Sequence, residues 1–126
     1  MSNVVDSCGW IEFIANGDNA DFFAPVLLDE SNLIIPQIVI YEVARKFTVH
    51  DQIEMMGNVF AAMKRCKIAG LLPENLVLAA QNAAKYKLHM ADAIIWQTAQ
   101  AHNATLYTQD IALKGLPNVK FKAKKK

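Results

Sequence analysis

The sequence has no long apolar run, few glycines and prolines, and only two cysteines. No stretch reaches the roughly 18 uninterrupted apolar residues of a membrane-spanning helix, so we expect no contact with a membrane. Five Gly and four Pro exclude a collagen-like or low-complexity chain. Cys8 and Cys66 show no metal-binding or redox spacing, and no basic segment precedes the apolar residues at the N-terminus. We therefore expect reduced thiols and a cytoplasmic protein.

The composition is typical of one globular domain. Hydrophobic residues make up 53% of the chain and charged residues 20%, which excludes disorder. A chain of 126 residues forms one domain, 1–126, because each half of it would be marginal in size. Its basic C-terminal end, 114–126, holds six of the thirteen basic residues and no acid. We expect this end to be a solvated, frayed tail, which is favoured over the alternative that the basic end binds phosphate.

Short apolar runs separated by helical patterns predict the fold class. The predicted strands are 3–6, 33–35, 105–108 and 119–121, with 68–72 undecided between a strand and a connector. The predicted helices are 10–14, 19–30, 36–50, 51–67, 73–86 and 91–103, the fourth with Asp51 as N-cap and Glu54 completing a capping box. Apolar strands alternating with helices indicate an α/β fold, a three-layer αβα arrangement with a central parallel sheet.

Four acidic residues lie within apolar stretches of the sequence, unlike acids on a solvated surface, which lie in polar turns or at helix starts. Asp6 follows the first strand, and Glu42 is the only charge between Leu33 and Ala44. Asp92 and Asp110 are the only formal charges in residues 88–113. Each acid has an ordinary structural explanation: a strand end, a helix cap, a turn, or, for Glu42, an ion pair with a basic residue one turn on. It is much less probable that such ordinary explanations apply to all four acids at once.

Ligands of parallel α/β sheets bind at the carboxyl ends of the strands, and these four acids can converge there. Converging carboxylates repel one another and raise each other's pKa unless a cation lies among them. Oxygen ligands without His or Cys select Mg²⁺ or Mn²⁺, which commonly bind substrate phosphate as well. The sequence therefore predicts a divalent-metal site that acts on phosphate.

The residues that carry these acids also match a known family. The segments VVDSCGWIEFI, IIPQIVIYEVARKF and LHMADAIIWQTAQAHNATLYTQD occur in order between Val4 and Asp110. In these segments and their spacing the chain resembles a PIN-domain ribonuclease, specifically the VapC-type toxin of toxin–antitoxin pairs. The resemblance implies that Asp6, Glu42, Asp92 and Asp110 hold one or two Mg²⁺ or Mn²⁺ ions and hydrolyse RNA phosphodiesters.

The resemblance also implies partners and supporting residues. An RNA substrate, a cognate antitoxin protein and a homodimer are expected. Ser7 and Thr108 match hydroxyl residues that orient ligands or water, although an ordinary strand-end hydrogen bond is an equal alternative for each. Cys8 stands where a small hydroxyl residue is frequent and is expected to be a small buried side chain. No acid follows Asp110 closely, which leaves a second metal in doubt.

Several weaker features have two interpretations. Arg45 and Lys46, and also Lys64, Arg65 and Lys67, are candidates for a phosphate-binding groove, or are merely solvated. For Trp10 and Trp96, core packing is favoured over base stacking. A stripe of apolar residues at helical spacing suits a partner-binding groove. It consists of Met55, Met56, Phe60 and Met63.

Other functions remain as alternatives. A PIN-like scaffold that binds RNA or protein without turnover would keep the same acids. A structure-specific DNA nuclease uses similar chemistry, but the chain is too short for an added DNA-threading element. A phosphoacceptor receiver domain needs adjacent acidic residues after its first strand. This function is rejected, because no acidic residue is adjacent to Asp6.

Overall fold

The computed structural model describes residues 1–125, in which short strands are separated by helices. The strands are β1 (Asn3–Val5), β2 (Ile34–Pro36), β3 (Lys67–Ala69), β4 (Thr105–Thr108) and β5 (Val119–Phe121). The helices are α1 (Ser7–Ile14), α2 (Ala20–Leu27), α3 (Gln37–Val49), α4 (Met56–Lys64), α5 (Pro73–Tyr86) and α6 (Met90–Ala101). Single turns of 3-10 helix cover Glu30–Asn32, Ile53–Met55 and Ile111–Leu113.

All strand pairs are parallel, as predicted. β1 pairs with β4 and β4 with β5, whereas β2 pairs with β3. A parallel bridge between Asn3 and Leu33 joins the two groups, so the strand order is β3-β2-β1-β4-β5. The order reverses between β1 and β4, and this point is where parallel sheets form a crevice at their carboxyl ends.

The core confirms the three-layer arrangement. Val4 and Val5 are both 0% exposed, and successive strand residues point to opposite faces, so both faces of the sheet are covered. From the helices, Phe23, Val39 and Ile95 are also fully buried. None of the helices in residues 1–125 is long and apolar enough to cross a membrane.

One predicted helix start is wrong. Asp51 does not cap a helix that begins there; it has φ 57° and follows the end of α3. The amide of Gln52 donates to the carbonyl of Phe47 at 2.7 Å, which closes the end of that helix. Asp tolerates the left-handed conformation as well as the N-cap position, so the same residue type marks both helix ends. α4 begins only at Met56, after a 3-10 turn.

Smaller differences concern other boundaries and the tryptophans. Pro36 is the last residue of β2 rather than the first of α3, and the undecided segment 68–72 contributes to strand β3. The helix predicted over 19–30 is shorter and is followed by a 3-10 turn. Trp10 and Trp96 are both buried, which confirms that they pack in the core.

Gly9 in α1 provides a test of the packing that positions the first acid. A Cβ at Gly9 would lie 2.5 Å from Val5 Cγ1 and 2.7 Å from Phe23 Cε1, both in the core. We expect Gly9→Ala to lower the free energy of unfolding by about 1–3 kcal/mol because the core must move to accommodate it. Gly57→Ala, with nothing within 4 Å of the added Cβ in α4, should instead raise it by about 0.5–1 kcal/mol.

Urea denaturation of the two variants and the parent protein measures both effects. A Gly9→Ala variant as stable as the parent would contradict the tight approach of α1 to the sheet.

Candidate metal centre

Asp6 is the acid most deeply enclosed by the fold. It lies directly after β1, caps α1 and is 1% exposed. Its Oδ1 accepts a hydrogen bond from the amide of Gly9 at 2.8 Å, and its Oδ2 accepts one from the hydroxyl of Thr108. Burial, with a smaller contribution from the charges of Asp110 and Glu42, raises the pKa of Asp6 to about 6, although the two hydrogen bonds lower it.

Thr108 connects two of the acids. While its hydroxyl donates to Asp6, its Oγ1 accepts from the backbone amide of Asp110 at 2.9 Å. The Asp110 carboxylate in turn accepts from the amide of Ala112 at 2.9 Å and starts the 3-10 turn that follows. The ends of β1 and β4 are therefore joined through one buried hydroxyl, and both acids lie at the crevice of the sheet.

Glu42 joins this group from α3. The hydroxyl of Ser7 donates to Oε1 of Glu42 at 2.7 Å, which links the first turn of α1 to α3. The alternative ion pair with Arg45 or Lys46 does not form: in residues 1–125 the one ion pair is between Arg65 and Glu30. Ser7 therefore bonds to Glu42 and not to Asp6, the acid that precedes it in the sequence.

Asp92 completes the group from the first turn of α6. Its pKa is raised to about 7, first by burial, then by a hydrogen bond to the Asp110 carboxyl and by the charges of Asp110, Asp6 and Glu42. The helix N-terminus would favour the charged form, so burial and repulsion outweigh the helix dipole here. The charges of the other three predicted acids therefore all reach Asp92.

A cavity of about 820 Å³ opens beside these acids. Ser7 and Glu42 are in its lining, so it reaches the acidic group from the side of α1 and α3. Arg45 and Lys46 also line it, as the phosphate-groove prediction requires. The other three basic candidates, Lys64, Arg65 and Lys67, are not in its lining, and Arg65 is paired with Glu30.

Three lining or supporting features were not predicted from the sequence. Cys8, expected to be buried, is exposed at this cavity because α1 turns it outward, and desolvation together with Asp6 raises its pKa to about 11. Asn19 is 1% exposed and donates to Gln109 at 3.0 Å. Lys124 and Lys125 also line the cavity. No local signal marks Asn19, because a polar residue before a helix is usually an exposed cap.

The sequence profile of the PIN domain family matches residues 4–119. The chain belongs to the PIN domain family. PIN domains are generally nucleases, and those nucleases generally use divalent metals. No curated protein sequence matched this PIN domain.

Solved structures share the PIN fold over nearly the whole chain. A toxin–antitoxin complex from Klebsiella pneumoniae has a TM-score of 0.78 and 22% identity, covering 94% of this chain and 96% of that one. PAE2754 from Pyrobaculum aerophilum has a TM-score of 0.73 and 18% identity, covering 96% and 90%. VapBC2 from Rickettsia felis bound to a promoter DNA fragment has a TM-score of 0.71 and 18% identity, covering 98% of both chains. At sequence identities this low, the similarity shows a shared fold and no more.

The acids of this PIN domain fit a hydrated metal ion better than a closed protein cage. Within residues 1–125, no three His, Cys, Asp or Glu side chains are close enough together to enclose a metal by themselves. Mg²⁺ usually keeps several waters and binds one or two carboxylates directly. Four carboxylates without an ion-pair partner in residues 1–125 supply the negative charge and hard oxygens that such an ion requires, and the pKa values of Asp6 and Asp92 are raised among them.

The raised pKa of Asp92 predicts a pH-dependent stability in the absence of metal. Between the ordinary pKa of 3.8 and the folded value of about 7, the folded protein holds a proton that the unfolded chain releases, so stability falls as pH rises through this range. Asp92→Asn removes this partly buried charge. Because Asp92 is partly exposed and screened, we expect a melting temperature only roughly 2–5 °C above the parent at about pH 8.

Thermal melts in chelator at about pH 5 and about pH 8 measure this effect, and the difference should shrink at the lower pH. Asp21→Asn, an exposed change on α2, is the control and should shift the melting temperature equally at both pH values. A lower melting temperature for Asp92→Asn at the higher pH would contradict the electrostatic strain in this site.

Proposed function

We propose that this PIN domain is a metal-dependent endoribonuclease and the toxin of a type II toxin–antitoxin pair. The single observation that supports this most is the convergence of four carboxylates at the crevice between β1 and β4, tied together through Thr108 and Ser7. The adjoining cavity carries Arg45 and Lys46, which suit a phosphate backbone.

In this proposal four acids hold the ion or ions, Mg²⁺ or Mn²⁺: Asp6, Glu42, Asp92 and Asp110. When bound, the metal supplies an activated water and neutralises charge on the scissile phosphate. Thr108 fixes the orientation of the Asp6 carboxylate and, by accepting from the Asp110 amide, the start of the loop that carries Asp110. Ser7 does the same for Glu42. The products are a 5′-phosphate and a 3′-hydroxyl.

We further propose an antitoxin partner and a homodimer. Two of the similar structures are of toxin–antitoxin assemblies, which supports the first. The apolar stripe on and before α4 offers a surface for it, because Met55 and Phe60 remain 43% and 40% exposed while the other two stripe residues are buried. For the homodimer, Leu76 and Met90 leave an apolar patch on α5 and α6 that is 47% and 73% exposed at these residues. The two free cysteines suit the reducing cytoplasm.

The central test is cleavage of end-labelled RNA by antitoxin-free protein in Mg²⁺ or Mn²⁺. We expect discrete fragments with 5′-phosphates that disappear in chelator, and a rate at least about 100-fold lower for Asp92→Asn, because loss of a direct ligand should cost more than loss of an outer partner. Asp21→Asn, which removes one exposed carboxylate that does not line the cavity, is the matched control.

Two outcomes would reject parts of the proposal. Near-parental cleavage by Asp92→Asn would show that the acids are wrongly assigned. Calorimetric metal binding by folded protein that cleaves no RNA would favour the scaffold function instead.

Thr108 gives a separate test of how the acids are held. Thr108→Val keeps the shape but removes the donor to Asp6 and the acceptor for the Asp110 amide. We expect Mn²⁺ affinity, or the cleavage rate, to fall about 10–100-fold. Thr105→Val, at the start of the same strand, should leave both unchanged.

Titration calorimetry with Mn²⁺ measures the affinity, and a thermal melt verifies that each variant is folded. Equal Mn²⁺ affinity and equal cleavage rate for a folded Thr108→Val would show that the hydroxyl is an ordinary strand-end bond.

A further inference from the structure

The basic C-terminal end is attached to the site and is not a frayed tail over the residues described. The amide of Lys122 donates to the carbonyl of Thr108 at 3.1 Å, which continues the pairing of β4 with β5. The side chain of Asn19 then donates to the carbonyl of Ala123 at 3.1 Å. The expectation of a free tail is therefore wrong as far as Ala123; Lys124 and Lys125 follow it as exposed residues, and Lys126 lies outside the described residues.

Asn19 is a buried anchor for this segment. Its amide nitrogen donates both to Ala123 and to Gln109, the residue between Thr108 and Asp110. Because Asn19 is 1% exposed, its donors have no water to bond with instead, and breaking these bonds would leave a buried polar group unpaired. The anchor therefore fixes the backbone immediately before Lys124 and Lys125.

The anchored lysines face two other cations across one cavity. Lys124 and Lys125 line it from the C-terminal segment, and Arg45 and Lys46 line it from α3. Ser7 and Glu42 belong to the same lining, so the cations flank the entrance to the acids. None of the four is in an ion pair, since Arg65–Glu30 is the one pair within residues 1–125.

We propose that Lys124 and Lys125, together with Arg45 and Lys46, form a two-sided cradle for the phosphate backbone of a single RNA strand. The inference rests on the proposed function and names the residues that position its substrate. Unpaired cations on two separate elements match the repeated charges of a polynucleotide. RNA is favoured over an acidic protein segment because the same cavity leads to the carboxylates that a phosphodiester must reach. The lysines position the strand and take no part in the chemistry.

Binding of RNA in chelator tests the cradle without cleavage. The probe is a labelled, mixed-sequence single strand of roughly 12 nucleotides, followed by fluorescence anisotropy between about 50 and 200 mM salt. For Lys124→Ala/Lys125→Ala we expect an approximately tenfold higher Kd, with the slope of log K against log salt shallower by about 1.4, the loss of two single-strand phosphate contacts.

Three further variants separate the cradle from a general charge effect. Lys67→Ala/Lys85→Ala removes the same charge from exposed residues outside the cavity and should bind RNA like the parent. Lys124→Arg/Lys125→Arg should retain the affinity. Asn19→Ala keeps every cation but releases Ala123, and should show part of the loss. Both lysines are exposed, so the double alanine variant tests the cradle even if Asn19→Ala fails to fold.

Unchanged affinity and salt slope in Lys124→Ala/Lys125→Ala would overturn the cradle, as would an equal loss in the Lys67 and Lys85 control. Weakened binding of polyglutamate with unchanged binding of RNA would also overturn it, in favour of an acidic protein segment. The proposed function is tested separately, by cleavage. RNA binding that depends on the lysines, without metal-dependent cleavage, supports the cradle and rejects the nuclease. Metal-dependent cleavage with RNA binding that does not depend on the lysines supports the nuclease and rejects the cradle.

Discussion

The enclosure of acidic side chains at one edge of the sheet is the constraint around which this fold is organised. Burial, and after it the charges of neighbouring acids, raises the pKa of both Asp6 and Asp92 there. None of the four acids is in an ion pair, because within residues 1–125 the one such pair joins Arg65 and Glu30. They are kept together by hydrogen bonds from uncharged groups: Thr108 and the Gly9 amide hold Asp6, and Ser7 holds Glu42. The packing of α1 against β1 supports these bonds, and its close approach leaves no room for a side chain at Gly9.

Holding these acids close together lowers the stability of the folded protein. Asp6 and Asp92 have raised pKa values, so folding these charges together costs free energy at neutral pH when no cation is present. A bound cation would return that free energy by attraction to the same charges. Strain of this kind is typical of sites whose geometry serves binding or catalysis and not the stability of the fold.

The acids could be predicted from sequence because each breaks a strong local pattern. Asp6 and Asp110 follow apolar strands of a parallel sheet, and the rule that such strand ends meet at one edge brings them together. Glu42 and Asp92 interrupt apolar helix faces in the same way. Asp51 was misplaced because one residue type suits both ends of a helix. The anchoring of the C-terminal segment was missed because it depends on Asn19, which is 104 residues from its partner Ala123 and has no distinctive sequence around it.

The distances along the chain between bonded residues have a consequence for synthesis. Asp6 and Thr108 are separated by 102 positions, and all three residues of β1 pair with β4. Contacts between such distant residues form late, after most of the chain is available. While the protein is being made, Asp6 leaves the ribosome long before Thr108 does, and a chain that stops short of β4 cannot assemble the acidic group. Any activity that depends on this group is therefore delayed until translation of the domain is nearly finished, so incomplete chains do not carry it.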